Sequence, residues 1–118
     1  MEPMIVRDGG AVIVTTPRRF DVDSAPLVES GLKPFLADKS VELIFDFSKT
    51  EYISSAGMRV ILAASRQVRS GGGTVHLAAL GRQAEYIFEI SGFKKMFPVH
   101  ENRKKALLSL QEKEKNAP

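Results

Sequence analysis

The fold of this chain is decided by residues 45–62, which read FDFSKTEYISSAGMRVIL. The stretch begins inside a strand from Val41 to Phe47, which is mostly apolar, as a central strand covered on both faces would be. A short polar loop follows, and then a helix that begins at Ser54 and Ser55 and carries apolar residues at helical spacing. The stretch therefore predicts a strand, a loop and a helix with two hydroxyl groups at its exposed start.

Elements on both sides of this unit alternate between strands and helices. Two β-rich runs flank a turn at residues 8–10, where glycine accepts a positive φ at little cost. We expect the remaining strands at 4–6, 11–15, 74–79 and 97–99, and the remaining helices at 24–36, at 83–90 and from residue 102 onward. The alternation predicts an α/β domain in which about four helices pack on a mixed sheet of about four to five strands.

Local signals indicate where the helices begin, end and bury their apolar side. Asp23 or Ser24 is expected to cap the first helix, and Pro26 fits its first turn. The glycines at 71–73 end the second helix, because glycine supplies a left-handed C-cap. The inward face of the helix at 83–90 is expected to consist of Tyr86, Ile87 and Ile90.

Length and composition indicate one soluble domain. We assign residues 1–118 to it, with about 112–118 as a frayed C-terminal tail. Because the chain contains no cysteine, disulfides and thiolate metal sites are excluded. No apolar run approaches the roughly 20 residues that span a bilayer. Residues 1–4 lack the pattern of a signal peptide, so we expect a cytoplasmic protein that does not associate with membranes.

The positive charge of the chain is concentrated near its C-terminus. Residues 101–118 contain five basic residues and three glutamates, and so supply +2 of the net charge of +3. A basic segment with interspersed glutamates is typical of a solvated helix face. The rest of the chain is almost neutral, which argues against direct binding of nucleic acid.

The serine pair is the strongest candidate site in the sequence. The start of a helix presents unpaired N–H groups and the positive end of the helix dipole. A phosphoryl group on Ser54 or Ser55 would add roughly −1.5 to −2 charge, which these donors partly compensate. The alternative is purely structural, since serine is a favoured N-cap worth about 1 kcal/mol over alanine.

The pattern around these serines resembles the STAS domain of bacterial anti-sigma-factor antagonists. The resemblance rests on the strand at 41–47 followed by 53–62, ISSAGMRVIL, and covers nearly the whole chain. Phe20-Asp21 resembles the family's hydrophobe–aspartate pair before a capped helix. The segments 72–74 (GGT) and 89–93 (EISGF) resemble a Gly-Gly before the next strand and a Ser-Gly-hydrophobe corner.

This resemblance implies a regulatory switch rather than an enzyme. In the family, the hydroxyl residue two positions before the glycine is phosphorylated, and here that residue is Ser55. The implied partner is an anti-sigma factor that is also a serine kinase; it binds the unphosphorylated form, which frees sigma, and a PP2C-type phosphatase resets the cycle. A monomer without a cofactor is the family expectation. The implied partner-binding residues are Asp21, Ser54, Ser55, Ala56, Gly57 and Met58.

The sequence departs from the family pattern at three places. Ser54 stands where an aspartate usually precedes the acceptor, and Ala56 stands where many members carry another hydroxyl residue. Residues 17–19, PRR, replace a glycine turn before Phe20-Asp21. Arg18 and Arg19 either favour an acidic partner or phosphate, or serve solubility.

Other polar residues have structural explanations. Asp21, Asp23 and Asp46 suggest a Mg²⁺ site, but capping and loop hydrogen bonds explain the first two. Asp46 is expected either to shape the loop near Ser55 or to have a purely structural role. His76 and His100 lack metal-ligand spacing and are interpreted as structural. We therefore expect no metal.

A second function keeps the same fold. The chain would then be a STAS scaffold or adaptor subunit of a stressosome-like or lipid-transport ATPase complex, and the same surface would dock a subunit constitutively. The two functions differ in whether phosphorylation controls binding.

Overall fold

A five-stranded sheet forms the centre of the protein, and helices cover both of its faces. The computed structural model describes residues 4–37 and 40–115, with side chains through residue 112. The elements are β1 (Met4–Asp8), β2 (Ala11–Thr15), β3 (Arg19–Phe20), α1 (Ala25–Leu36), β4 (Glu42–Asp46), β5 (Tyr52–Ile53), α2 (Ser55–Ser70), β6 (Val75–Ala78), α3 (Arg82–Ser91), α4 (Phe93–Met96), β7 (Val99–His100) and α5 (Arg103–Lys115). Helix α5 thus enters the segment expected to fray, and residues 116–118 lie outside the described ranges.

The sheet has the strand order β1-β2-β4-β6-β7. The hairpin pair β1 and β2 is antiparallel, and every later neighbour is parallel because a helical crossover returns the chain to the same end. The predicted α/β class and mixed sheet are therefore confirmed. The described ranges hold five helices rather than about four, since the single turn α4 follows Gly92, whose φ of +85° ends α3.

Alternate residues of the central strands enter two separate hydrophobic clusters. The larger cluster lies under α1, α2, α3 and α4, and from β4 it contains Leu43 and Phe45. The smaller lies under α5, where Ile44 packs with Ile13 and Ala106. Neighbouring side chains of a strand point to opposite faces, so an apolar run is required where both faces are covered. We call these surfaces of the sheet the α1–α4 face and the α5 face.

A second, two-stranded ribbon lies beside the main sheet. Strands β3 and β5 pair in parallel, with Arg19 opposite Tyr52 and Phe20 opposite Ile53. The sequence did not predict β3 and β5, whose two residues each are too few to show an alternating pattern. The ribbon matters because β5 leads directly into the serine pair.

The prediction for the inward face of α3 was wrong for two of its three residues. Tyr86 and Ile90 are 66% and 63% exposed, and only Ile87 packs partly against the core. The helix instead buries Ala84 and Phe88, which are also one turn apart. Phe88 stacks on Phe93 at 5.2 Å between ring centroids, so aromatic packing sets the rotation of the helix.

Candidate functional site

The two serines at the start of α2 have different roles. Ser54 is the N-cap, and its hydroxyl oxygen accepts a hydrogen bond from the Ala56 N–H at 3.2 Å. Its carbonyl oxygen accepts from Met58 N–H at 3.0 Å. Ser55 is the first helical residue and is exposed. Within residues 4–37 and 40–112, nothing forms a hydrogen bond with the Ser55 hydroxyl, which therefore faces solvent without a structural task.

A glycine allows this helix start to sit close to the ribbon. A Cβ atom at Gly57 would lie 2.6 Å from the Phe20 carbonyl oxygen and 2.9 Å from Ile53 Cγ1. Any larger residue would push α2 away from β3 and β5. Of the predicted partner surface, Gly57 is thus buried, while Ala56 and Met58 are half-buried against the larger cluster.

The ribbon brings Asp21 to the same end of the molecule as the serines. Phe20 pairs with Ile53, and the Phe20 carbonyl oxygen accepts from Ser54 N–H at 2.9 Å. Asp21 and Ser54 are the residues that follow these paired positions. Since the strands are parallel, both residues emerge from the carboxyl ends of neighbouring strands.

Asp21 and Ser24 hold the loop before α1 in a reciprocal arrangement. Asp21 Oδ1 accepts from the N–H groups of Asp23 at 3.1 Å and Ser24 at 3.3 Å. Ser24 Oγ accepts from Asp21 N–H at 3.0 Å and donates to the Arg19 carbonyl oxygen at 2.6 Å. Ser24 occupies the N-cap position as predicted, but its side chain does not bond the helix N–H groups because this loop already engages it.

The environment of Asp21 keeps its carboxylate ionised. Desolvation alone would raise the pKa of Asp21, but the backbone N–H groups of Ser24 and Asp23, together with Arg19, outweigh it and lower the pKa. Only Oδ1 serves the loop, while Oδ2 lies 3.4 Å from Arg19 Nε. The site thus holds an ionised carboxylate, paired with Arg19, at the end of the strand that neighbours β5.

Both arginines that precede this aspartate have partners within the protein. Arg18 forms an exposed ion pair with Glu51. Arg19 contacts Asp21 and also places its guanidinium carbon 4.8 Å from the centre of the Tyr52 ring. These contacts join the two strands of the ribbon on its outer side. The role of either arginine toward a phosphate or an acidic partner stays a prediction.

Asp46 lies on the α5 face. It is 4% exposed, accepts from Ser48 N–H at 2.9 Å and pairs with Arg103 at 2.9 Å. Arg103 also donates to Thr15 Oγ1 at 2.6 Å. Asp46 does shape the loop after β4, and its second role is to anchor α5 to the sheet.

The two histidines lie next to each other on neighbouring strands. His76 Nδ1 and His100 Nε2 are 3.1 Å apart, and His76 Nε2 lies 3.9 Å from Glu42 Oε1. Among the described residues, no group of three or more His, Cys, Asp or Glu side chains is arranged to hold a metal ion. None of the described helices combines the length and apolar character that crossing a bilayer requires.

Gln83 is a residue of the site that the sequence did not reveal. It lies in the first turn of α3, and its side-chain amide bonds both backbone groups of Ile53. The distances are 2.9 Å from Ile53 N to Oε1 and 3.0 Å from Nε2 to the Ile53 carbonyl oxygen. A single glutamine in a polar helix start gives no sequence signal of such a contact.

Known proteins share both the sequence pattern and the fold. A family model for the STAS domain matches residues 2–106. BtrV of Bordetella bronchiseptica, provisionally named an anti-sigma factor antagonist, is 41% identical over 97 residues, which are 82% of this chain and 77% of BtrV. The anti-sigma-B factor antagonist of Bacillus subtilis is 29% identical over 79 residues, which are 67% of this chain and 72% of that protein.

Solved structures of a further protein give the same architecture. The anti-sigma factor antagonist SpoIIAA in its unphosphorylated form matches with a TM-score of 0.82 and 13% identity, over 93% of this chain and 96% of that chain. The phosphorylated form of the Bacillus protein matches with a TM-score of 0.74 and 14% identity, over 92% and 98%. At these identities the likeness shows the fold alone. The sequence matches go further, and with them the resemblance found in the sequence is confirmed: the chain belongs to the STAS domain family, among the anti-sigma factor antagonists.

Proposed function

We propose that this protein is a non-enzymatic switch that binds an anti-sigma factor with serine-kinase activity and is released when Ser55 is phosphorylated. Binding of the unphosphorylated form frees a sigma factor, and a PP2C-type phosphatase restores it. The observation that carries this proposal is the difference in structural role between the two serines. Ser54 uses its hydroxyl to cap α2, whereas the Ser55 hydroxyl is exposed and engaged by nothing among the described residues.

The chemistry at Ser55 is a phosphoryl transfer from Mg-ATP. A bond forms between Ser55 Oγ and the γ-phosphorus, the bond to the β-phosphate oxygen breaks, and ADP leaves while the hydroxyl proton passes to a base. The product carries about −1.5 to −2 charge at the start of a 16-residue helix. The helix N-terminus favours this charge, so we expect the fold to persist after modification.

The same charge changes the surface that a partner must contact. Asp21 is held next to the serine pair and is kept ionised by its low pKa. A partner that tolerates one carboxylate there meets a second, larger negative group after phosphorylation. Close contact around Ser55, Ala56 and Met58 then requires desolvation of a dianion, which favours release. The relatives named as anti-sigma factor antagonists support this assignment of the partner.

The proposal is tested by incubating the protein with Mg-ATP and a candidate serine kinase from the same organism, with phosphate mapped by intact mass and peptide sequencing. We expect one phosphate on Ser55 in the wild type, and none in Ser55→Ala. Ser54→Ala is the matched control. It removes the neighbouring hydroxyl and about 1 kcal/mol of capping energy, but it keeps the acceptor and should still gain one phosphate.

Binding of the kinase distinguishes the switch from constitutive docking. Ser55→Ala should form the complex and resist release by ATP, whereas Ser55→Asp should bind poorly. A Ser55→Asp variant that binds as tightly as the wild type would overturn the charge mechanism. Absence of phosphate on the wild type, together with a stable complex that ignores ATP, would favour the scaffold function.

A further inference from the structure

The side chain of Gln83 takes the place of a missing strand beside β5. In a strand, the N–H and C=O groups of one residue point to the same side. The groups of Ile53 point away from β3 and toward α3, where the Gln83 amide supplies one acceptor and one donor. The residues on either side of Ile53 instead bond toward β3, since Tyr52 N–H donates to the Arg18 carbonyl oxygen and Ser54 N–H donates to the Phe20 carbonyl oxygen.

Only Ser54 separates Ile53 from Ser55, the proposed site of phosphorylation. Ile53 is 1% exposed and Ser54 is bonded through both its N–H and its hydroxyl, so displacement of Ile53 moves the cap of α2. Without Gln83, two backbone groups of this half-buried segment would lose their partners, which is unfavourable compared with a bonded arrangement. One side chain from a different helix therefore bonds both backbone groups of the residue two positions before Ser55.

We propose that Gln83 is a positioning residue for phosphorylation, because it locks residues 52–54 in the conformation that presents Ser55 to the kinase. The inference rests on the proposed function of Ser55. Gln83 itself touches neither ATP nor the reacting oxygen. Its effect should therefore appear in kcat for phosphorylation more than in KM, since it fixes the geometry of the nucleophile rather than the affinity of the surface.

The test compares Gln83→Ala with a matched control, Gln67→Ala. Gln67 also joins two elements through a single side chain, since its Nε2 donates to the Leu36 carbonyl oxygen at 3.3 Å. It lies in the last turns of α2, away from the serine pair. Both variants remove the same atoms and break a side-chain link between two elements, made of two hydrogen bonds at Gln83 and one at Gln67, but only Gln83→Ala frees Ile53. Gln83→Glu keeps an acceptor for Ile53 N–H and loses the donor, so an intermediate result is expected.

Three quantities are measured on each full-length variant. They are the exchange rate of the Ile53 amide by NMR, the kcat and KM for phosphorylation of Ser55 by the candidate serine kinase, and the midpoint of urea unfolding. We expect Gln83→Ala to raise Ile53 exchange roughly tenfold or more and to lower kcat by about tenfold. Gln67→Ala should leave both unchanged even where it lowers the unfolding midpoint as much.

The outcomes separate this inference from the function on which it rests. Wild-type Ile53 exchange in Gln83→Ala, or a wild-type kcat, would overturn the positioning role. Equal losses of kcat in Gln83→Ala and Gln67→Ala would do so as well, because the effect would then follow stability alone. A wild-type protein that gains no phosphate on Ser55 would instead overturn the proposed function and, with it, the positioning role. The Ile53 exchange rates would still report whether Gln83 orders β5.

Discussion

The two faces of the central sheet are built from different chemistry. The α1–α4 face is apolar in every central strand, and Val14, Phe45 and Leu77 illustrate it at 0% exposure. The α5 face carries polar groups among its apolar ones, including the Asp46–Arg103 pair and the histidine pair. The serine helix α2 belongs to the first face. Apolar packing therefore dominates the sheet face that supports the site, while the other face also depends on polar contacts that pH and substitution can alter.

Substitutions at residues 45 and 46 test the difference between the two faces most directly, because neighbouring side chains in β4 point to opposite faces. Phe45→Ala should lower the free energy of unfolding by about 4 kcal/mol, since it removes a fully buried ring that stacks on Phe47 at 6.3 Å. Urea denaturation measures the loss. A loss below about 1 kcal/mol would contradict the tight packing of the α1–α4 face.

The polar anchor of α5 should matter less. Asp46→Ala removes the acceptor of the Ser48 N–H and the carboxylate that pairs with Arg103, and it leaves Arg103 its hydrogen bond to Thr15 Oγ1. Because the Arg103 side chain is 37% exposed, water replaces part of the interaction, and we expect a loss of about 2 kcal/mol rather than the 3–5 kcal/mol of a fully buried pair. The kcat for Ser55 phosphorylation should not change while the variant is folded.

Glu51→Ala is the control for that prediction. It removes one partner of the Arg18 pair, in which both side chains are more than 60% exposed. The expected loss is below about 1 kcal/mol in the same denaturation experiment, because exposed ion pairs contribute little. Equal losses for Asp46→Ala and Glu51→Ala would mean that burial does not distinguish the two ion pairs.

The contrast between the faces also explains what the sequence predicted. The run at 41–47 indicated a strand covered on both sides, because both faces of β4 are buried. For α3, helical spacing alone fits two alternative buried faces, one containing Tyr86 and Ile90 and the other containing Ala84 and Phe88. Tyr86 and Ile90 formed one candidate face, but aromatic stacking of Phe88 selected the other. Spacing records which residues share a side, and tertiary packing decides which side is buried.

The candidate site likewise contains residues that the sequence predicted and contacts that only the fold reveals. The serine pair and Asp21 were found because a helix cap and a family resemblance leave marks in the sequence. The different roles of Ser54 and Ser55 depend on one hydrogen bond, and the role of Gln83 depends on the placement of α3 against β5. The contacts of Gln83 join residues 30 positions apart and involve a side chain that is common in any polar segment. They could not be predicted without the fold.

The smallest effect we expect concerns the histidines of the α5 face. Partial burial lowers the pKa of His100 below its ordinary value of 6.5. The unfolded chain therefore takes up a proton more readily than the folded one, and stability falls as pH drops below 6.5 toward the folded-state pKa. His76 at 3.1 Å, with Glu42 beyond it, lies beside His100, and Glu101 follows it in the chain.

Urea denaturation at about pH 8 and about pH 5.5 measures this effect. The pKa values of Asp21 and Glu101 are both lowered, so these two carboxylates stay ionised at both pH values, and we expect His100 to cause the pH dependence. His100→Gln should flatten the dependence, because it removes the group that titrates and keeps a polar side chain. An unchanged slope in this variant would show that His100 does not cause the pH dependence. If the stability of the wild type is constant or rises toward pH 5.5, the polar groups of the α5 face do not make this face more sensitive to pH than the α1–α4 face.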